Sequence, residues 1–173
     1  GSEGTLGIIT QVTLKLQPLP PYKIDMLAIF HDQMAAIGVV PQLVKAGIDP
    51  TSIEYMDNPN VRTTSEYLEF PGAPHIEDGI YVIITIETFN EDELDMKMEQ
   101  ASDICEAAGA VDVLEADERI WSMRRNCLES VSLISKVCTT DDVVVPVDEM
   151  SDMIQYIIKT VAKYPFPLRI NAH

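Results

Sequence analysis

The same local plan occurs twice along this chain, and that repetition limits the fold more than any other feature. In each copy a β-rich run leads to a capped helix, a glycine stop and a shorter extended run. The first copy has a strand at residues 25–30, a helix capped by Asp32, and a second strand at residues 51–56. Within the helix Ala36, Val39, Val40, Leu43 and Val44 recur at helical spacing, and Gly47 is placed to end it. Pro41 falls inside that pattern and is expected to kink the helix or delay its start. The second copy has a strand at residues 81–88, Asn90 as cap, and Leu94, Met98, Ala101, Cys105 and Ala108 on one helical face. Gly109 ends that helix and residues 111–114 return as a strand. Two such units of similar size predict an α+β fold: a ferredoxin-like antiparallel sheet with helices on one face. An open α/β sheet is the rival.

The flanks are less regular. Residues 12–16 alternate apolar and polar with β-branched members, which predicts a half-buried strand. Pro18, Pro20 and Pro21 then stop any ladder or helix and mark a boundary near residue 20. The last third predicts helix over 117–136, an extended run at 142–145, helix over 148–163 and a strand at 168–171. In the last helix Met150, Met153, Ile154, Ile157, Ile158 and Val161 form a core stripe. These additional C-terminal helices are expected to pack outside the two-unit core.

Charge excludes some functions. The 173 residues hold 28 acidic and 12 basic side chains, net −16. Such a surface repels phosphate backbones, and no basic patch interrupts it, so nucleic acid is not an expected partner. No run of about 18 apolar residues is present to span a membrane. Cys105, Cys127 and Cys138 are an odd number at wide spacing, neither a disulfide framework nor a zinc pattern, and suggest a reducing, cytoplasmic setting. The chain opens without Met and starts and stops inside segments patterned as structure, so it is expected to be a piece of a longer protein.

Few residues offer chemistry. Gly1, Gly4 and Gly7 punctuate a turn whose amides could approach an anion, but the Lys of a phosphate loop is absent and the plainer reading is a tight turn before a strand. Arg124 shares a helix face with Ile120, Trp121 and Leu128, so it must snorkel, pair with a carboxylate or meet an anionic ligand. A structural pair with one of the many acidic side chains is the plainer of these. Arg125 lies about 100° round the helix, toward solvent. His31, His75 and His173 make no metal set by spacing; the first two read as surface or capping residues. Twelve carboxylates between Glu87 and Glu118 read as one solvated helix face, without an EF-hand pattern. Neither a cysteine–histidine neighbourhood nor a Gly-x-Ser-x-Gly elbow supports a self-contained hydrolase.

Residues 1–10 (GSEGTLGIIT) with residues 12–16 (VTLKL) resemble the end of the flavin domain in FAD-linked oxidases of the vanillyl-alcohol-oxidase superfamily. The group most similar is the glycolate oxidase flavoprotein subunit with the D-lactate and D-2-hydroxyglutarate dehydrogenases. The resemblance continues at Asp49-Pro50, at residues 54–57 (EYMD), at Trp121 with Arg124, at residues 142–146 (DVVVP) and at residues 171–173 (NAH). It implies that residues 1–20 are the tail of the FAD-binding domain with a linker, and 21–173 a truncated substrate, or cap, domain. It also implies backbone contacts to FAD from Ser2, Gly4, Thr5, Gly7 and Ile9, and a substrate carboxylate bound by Arg124. His173 would be the first histidine of a segment that holds a divalent metal and the substrate hydroxyl. Thr140 stands where the D-2-hydroxyglutarate branch has a Lys, which weighs against a dicarboxylate substrate.

The expectation is therefore part of an FAD-dependent 2-hydroxy-acid dehydrogenase or oxidase of glycolate or D-lactate type. The full-length enzyme would carry FAD and work with an electron-transfer partner subunit, while the piece alone would be inactive and flavin-free. The alternative is a non-catalytic ferredoxin-like module for ligand sensing or protein interaction.

Overall fold

In the computed structural model, which describes residues 4–173, the chain is built around five strands in the order β4-β1-β3-β2-β5, every neighbouring pair antiparallel. The strands are β1 (Tyr22–Phe30), β2 (Ser52–Met56), β3 (Ile80–Thr88), β4 (Asp112–Glu115) and β5 (Asn171–Ala172). The first four alternate with helices in the ferredoxin-like order predicted from the repeated units. Central strands β1 and β3 pair over their whole length, from Tyr22 opposite Thr88 to Phe30 opposite Ile80.

Alternation along these strands supplies two cores. Met26, Ala28, Phe30, Val82, Ile84 and Ile86 face one side, where α1 (Gln33–Lys45) and α3 (Glu91–Ala107) cover them. Leu27, Ile29, Tyr81 and Ile83 face the other, under α2 (Asn58–Tyr67), α4 (Glu118–Arg125) and α5 (Cys127–Ser130). A strand buried on both faces reads as a continuous apolar run, as residues 26–30 and 80–84 do. Each such side chain, fully buried, contributes about 1.5–3 kcal/mol.

The caps act as predicted. Asp32 accepts from Ala35 N at 2.7 Å and Asn90 from Asp92 N at 2.9 Å. Gly47 and Gly109 close their helices at φ +78° and +102°, a region that favours glycine. Helix α1 starts directly after Asp32 and runs on through Pro41, so the proline does not delay it. Helix α6 (Met150–Val161) packs outside the double unit, against α1, with Ile154 buried.

The helix expected over 117–136 breaks at Asn126 into α4 and α5, and the strand expected at 168–171 is confined to Asn171–Ala172. Three further segments differ from expectation. Residues 12–16 form no strand; Ile8, Val12, Leu14 and Leu16 are all exposed. An alternating run becomes a strand only where another backbone offers a ladder, and none among the described residues does. Residues 142–145 are likewise irregular, and 142–144 are exposed. The third difference is α2, which the apolar pattern of residues 58–67 does not announce. Its core-facing positions are polar but for Val61: Asn60, Thr63, Thr64 and Ser65 are buried. The three hydroxyls are satisfied locally, Thr63 Oγ1 donating to Pro59 O at 2.7 Å, Thr64 Oγ1 to Asn60 O at 2.6 Å and Ser65 Oγ to Phe70 O.

Asp57 caps this helix and anchors the end of the chain. Its Oδ1 accepts from Asn60 N at 2.9 Å, and its Oδ2 from Ile170 N at 2.8 Å. Burial outweighs these bonds and raises the carboxyl from 3.8 to about 6. The folded chain thus holds this proton more tightly than the unfolded chain. The group's stabilisation is complete below 3.8 and is lost as pH rises through about 6. Relative to Asp57→Asn, the wild type should lose up to about 3 kcal/mol between roughly pH 4 and pH 7. Urea unfolding of both proteins across that range checks it; parallel profiles would show that Asp57 stays ionised throughout.

Candidate functional site

Helix α4 aims the side chain that the sequence singles out. Asp117 caps it, accepting from Arg119 N at 2.9 Å and Ile120 N at 3.2 Å. The Arg119 side chain, bonded to the same carboxyl, holds the acid below its usual range. Ile120 and Met123 bury into the second core and fix the helix's rotation. Arg124, next along the helix, then reaches strand β2. Its Nε and Nη2 both donate to Glu54 Oε2, each at 2.8 Å, and the two side chains are only 20% and 17% exposed. The structural pairing weighed in the sequence is real. Two of the five guanidinium N–H groups go to Glu54, and a second acid group bound bidentately needs two more.

Glu54 belongs to the second face of the sheet, because its neighbours Ile53 and Tyr55 pack into the first core. On that face the surface turns from apolar to polar toward one end of the strands. Ile83 lies opposite Glu54, and two residues on, Thr85 Oγ1 donates to Asp25 Oδ1 at 2.6 Å. Lys23 Nζ lies 3.0 Å from Asp25 Oδ2 and 6.0 Å from the Trp121 ring. Trp121 Nε1 is buried with no acceptor among the described residues. An arginine, a lysine and an indole donor therefore gather over a row of acidic and hydroxyl side chains.

His173 joins this edge through strand register. Tyr55 pairs with Ala172 and Met56 with Asn171. His173 follows Ala172 directly, so a ladder extended by one residue would set it opposite Glu54, on the face carrying Arg124. Sequence reasoning assigned no role to Glu54; its signal was a charged residue within the strand run, between Ile53 and Tyr55.

The other predicted positions are not brought there. Ser2 lies outside the described residues. Gly4, Thr5, Gly7 and Ile9 stand in the exposed segment ahead of β1. Gly4 has φ +75°, and open space surrounds the place of a Cβ at Gly4 and Gly7. His173 belongs to no group of three metal-ligating side chains among the described residues. Arg125 pairs with Glu118 on its own helix. The three cysteines are free, and burial pushes the Cys105 and Cys127 thiols up to about 12, which makes poor nucleophiles of them.

Comparison with known proteins gives this geometry a context. The sequence profile of the family described as FAD linked oxidases, C-terminal domain, matches residues 19–173. The D-lactate dehydrogenase of Anaerostipes hadrus is 32% identical over all of this chain, which covers 38% of that protein. Glycolate oxidase subunit GlcD of Bacillus subtilis is 30% identical, again over the whole chain, and 37% of its length is covered. The chain thus spans less than two-fifths of these relatives. Among solved structures, an alkyldihydroxyacetonephosphate synthase superposes with a TM-score of 0.54 over 78% of this chain and 28% of its own, at 22% identity, a likeness of fold.

The Arg124–Glu54 pair should be worth more than a surface ion pair and less than a fully buried one. A double-mutant cycle of Arg124→Met and Glu54→Gln, read by urea unfolding, is expected to give about 1–2 kcal/mol of coupling. A coupling near zero would mean that the two side chains are solvated independently.

Proposed function

The chain belongs to the FAD linked oxidases through their C-terminal domain, and on that footing we propose that it forms the substrate-binding part of an oxidoreductase acting on a small 2-hydroxy acid such as glycolate or D-lactate. The observation that supports this reading is the Arg124–Glu54 pair on β2, the strand that pairs with β5 up to Ala172, the residue before His173. A 2-hydroxy acid presents a carboxylate and, one carbon away, a hydroxyl. Those are the groups a guanidinium and a neighbouring imidazole recognise.

In this reading Arg124 clamps the substrate carboxylate with N–H groups that Glu54 does not use, and so positions the α-carbon. A ring nitrogen of His173 takes the hydroxyl proton. The flavin, when bound, accepts the hydride from the α-carbon, the part of the chemistry a protein side chain does not supply. The open backbone at Gly4 and Gly7 fits amide contacts to the cofactor from Gly4, Thr5, Gly7 and Ile9. The residues do not equally fit a metal at His173, which stands in no sufficient donor set among the described residues, and no step is routed through one.

The proposed division puts residues 1–20 at the end of the flavin domain and 21–173 in the substrate domain. The family match from residue 19 and the start of β1 at Tyr22 support it. A cytoplasmic setting is supported by three free cysteines and by the lack of any described helix long and apolar enough to cross a membrane. An electron-transfer partner subunit is proposed because one relative is itself named as a subunit.

Two measurements test this. In the full-length protein, Arg124→Ala should lower kcat/KM for the hydroxy acid roughly a hundredfold, about 2.7 kcal/mol of transition-state binding. Arg124→Lys should recover little, lacking the planar fork; near-normal kinetics in either variant would remove Arg124 from the site. The 173-residue chain soaked in FAD should stay colourless after desalting, since a few amides cannot offset an association cost of at least about 4 kcal/mol. A stoichiometric yellow complex would overturn that expectation.

A further inference from the structure

We propose that His31, His75 and Asp78 bind a divalent transition-metal ion of the zinc class, at the end of the sheet where β1 stops and β3 begins. Spacing along the chain hides this set, and the fold assembles it. His31 follows the last residue of β1, while His75 and Asp78 lie in the loop that leads into β3. Each residue offers one ligand atom, and the three atoms lie within 4.8 Å of one another. His31 Nε2 stands 3.3 Å from Asp78 Oδ1. Around an ion with bonds of about 2.0–2.1 Å, tetrahedral geometry separates neighbouring donors by about 3.4 Å. That edge of the polyhedron already has its length, and side-chain rotation of exposed groups closes the others.

The loop that carries two of the ligands is fixed by the rest of the protein. His75 holds φ +46°, a left-handed conformation uncommon for a side-chain-bearing residue. Gly79 N donates to His75 O at 2.6 Å, and Asp78 N to the same oxygen at 3.3 Å. A Cβ at Gly79 would stand 2.6 Å from His75 O and 3.1 Å from Ile29 Cγ2, so the loop closes this tightly only over glycine. Asn58 Nδ2 donates to Ile76 O and Gly79 O at 3.1 Å each, and the Tyr81 hydroxyl donates to Pro74 O. Ordering the loop is therefore part of folding and adds no cost when an ion binds.

The donor set selects the ion. Two imidazoles and one carboxylate suit zinc and its first-row neighbours, whereas calcium and magnesium take oxygen ligands. Beyond the three, Asp112 Oδ2 lies 3.6 Å from His75 Nε2. A carboxylate against a ligating imidazole is the usual outer partner, fixing the ring and raising its basicity. The exposure of all three ligands leaves the remaining coordination positions to water. The site is separate from Arg124 and Glu54. Glu54 is level with Ile83 and Leu27, and His31 lies four residues farther along β1, about 13 Å at 3.3 Å per residue.

Without a metal the same side chains make two imidazole–carboxylate contacts, His31 with Asp78 and His75 with Asp112, and the two accounts part on metal titration. Zinc titrated into the chain by calorimetry should bind at one equivalent. Cobalt should give the visible absorption of a nitrogen-ligated ion and be displaced by zinc. His31→Ala and His75→Asn should each weaken binding roughly tenfold or more, the asparagine being chosen because it tolerates a left-handed backbone. His173→Ala should leave binding unchanged. No stoichiometric binding, binding unaltered in both His31→Ala and His75→Asn, or binding lost in His173→Ala would each overturn the proposal.

Discussion

One buried carboxylate ties helix α2 to the last strand of this structure. Asp57 caps α2 with one oxygen and receives Ile170 N–H on the other, and its own N–H donates to Ile170 O at 3.2 Å. Asn60 adds two bonds from its amide nitrogen, to Ile170 O at 3.1 Å and Asn171 Oδ1 at 2.9 Å. Strand β5 has only two residues, too few for its ladder to fix register alone. The clamp supplies that register. Because side chains alternate along a strand, a slip of one residue would turn His173 to the opposite face, away from Arg124. A carboxylate outside the proposed chemistry thus decides whether two residues inside it share a face.

The sheet between them works as a two-sided partition. One face is covered by α1 and α3 and is apolar at its centre; the other is apolar under α4 and α5 and polar at Asp25, Glu54 and Thr85. Polar groups in such a half-covered face persist where they satisfy one another or meet a ligand. Here Asp25 answers Lys23 and Thr85, and Glu54 answers Arg124, while the indole donor of Trp121 finds no partner among the described residues.

Legibility followed periodicity. The double strand–helix–strand plan could be read because each element buries an apolar stripe at period 2 or 3.6 and is bounded by Asp32, Asn90, Gly47 and Gly109. Helix α2 could not, since it turns Asn60, Thr63, Thr64 and Ser65 inward and satisfies its hydroxyls through short local bonds that leave little apolar signature. Residues 12–16 carried a strand pattern without a strand, because pairing is a property of two segments and sequence describes one. At the site, Arg124 was legible as a charge on an apolar face, but its partner was not: Glu54 is one of 28 acidic residues, and only the packing of α4 on β2 picks it out. The His31 and His75 pair was hidden for the same reason, each looking like an ordinary surface residue until the loop before β3 folded back.

The Arg124–Glu54 pair also bears on how an anion could be held by a chain of net charge −16. Long-range repulsion opposes the approach of any acid, so attraction must be short-ranged and already oriented. An unpaired arginine at this depth would lose hydration without return and would sample many rotamers. Glu54 removes both problems by taking two donors on a single oxygen, which fixes the plane of the fork before a ligand arrives. Under the proposed function, a substrate carboxylate would meet donors whose orientation is already set, and its own binding would bear little of the ordering cost.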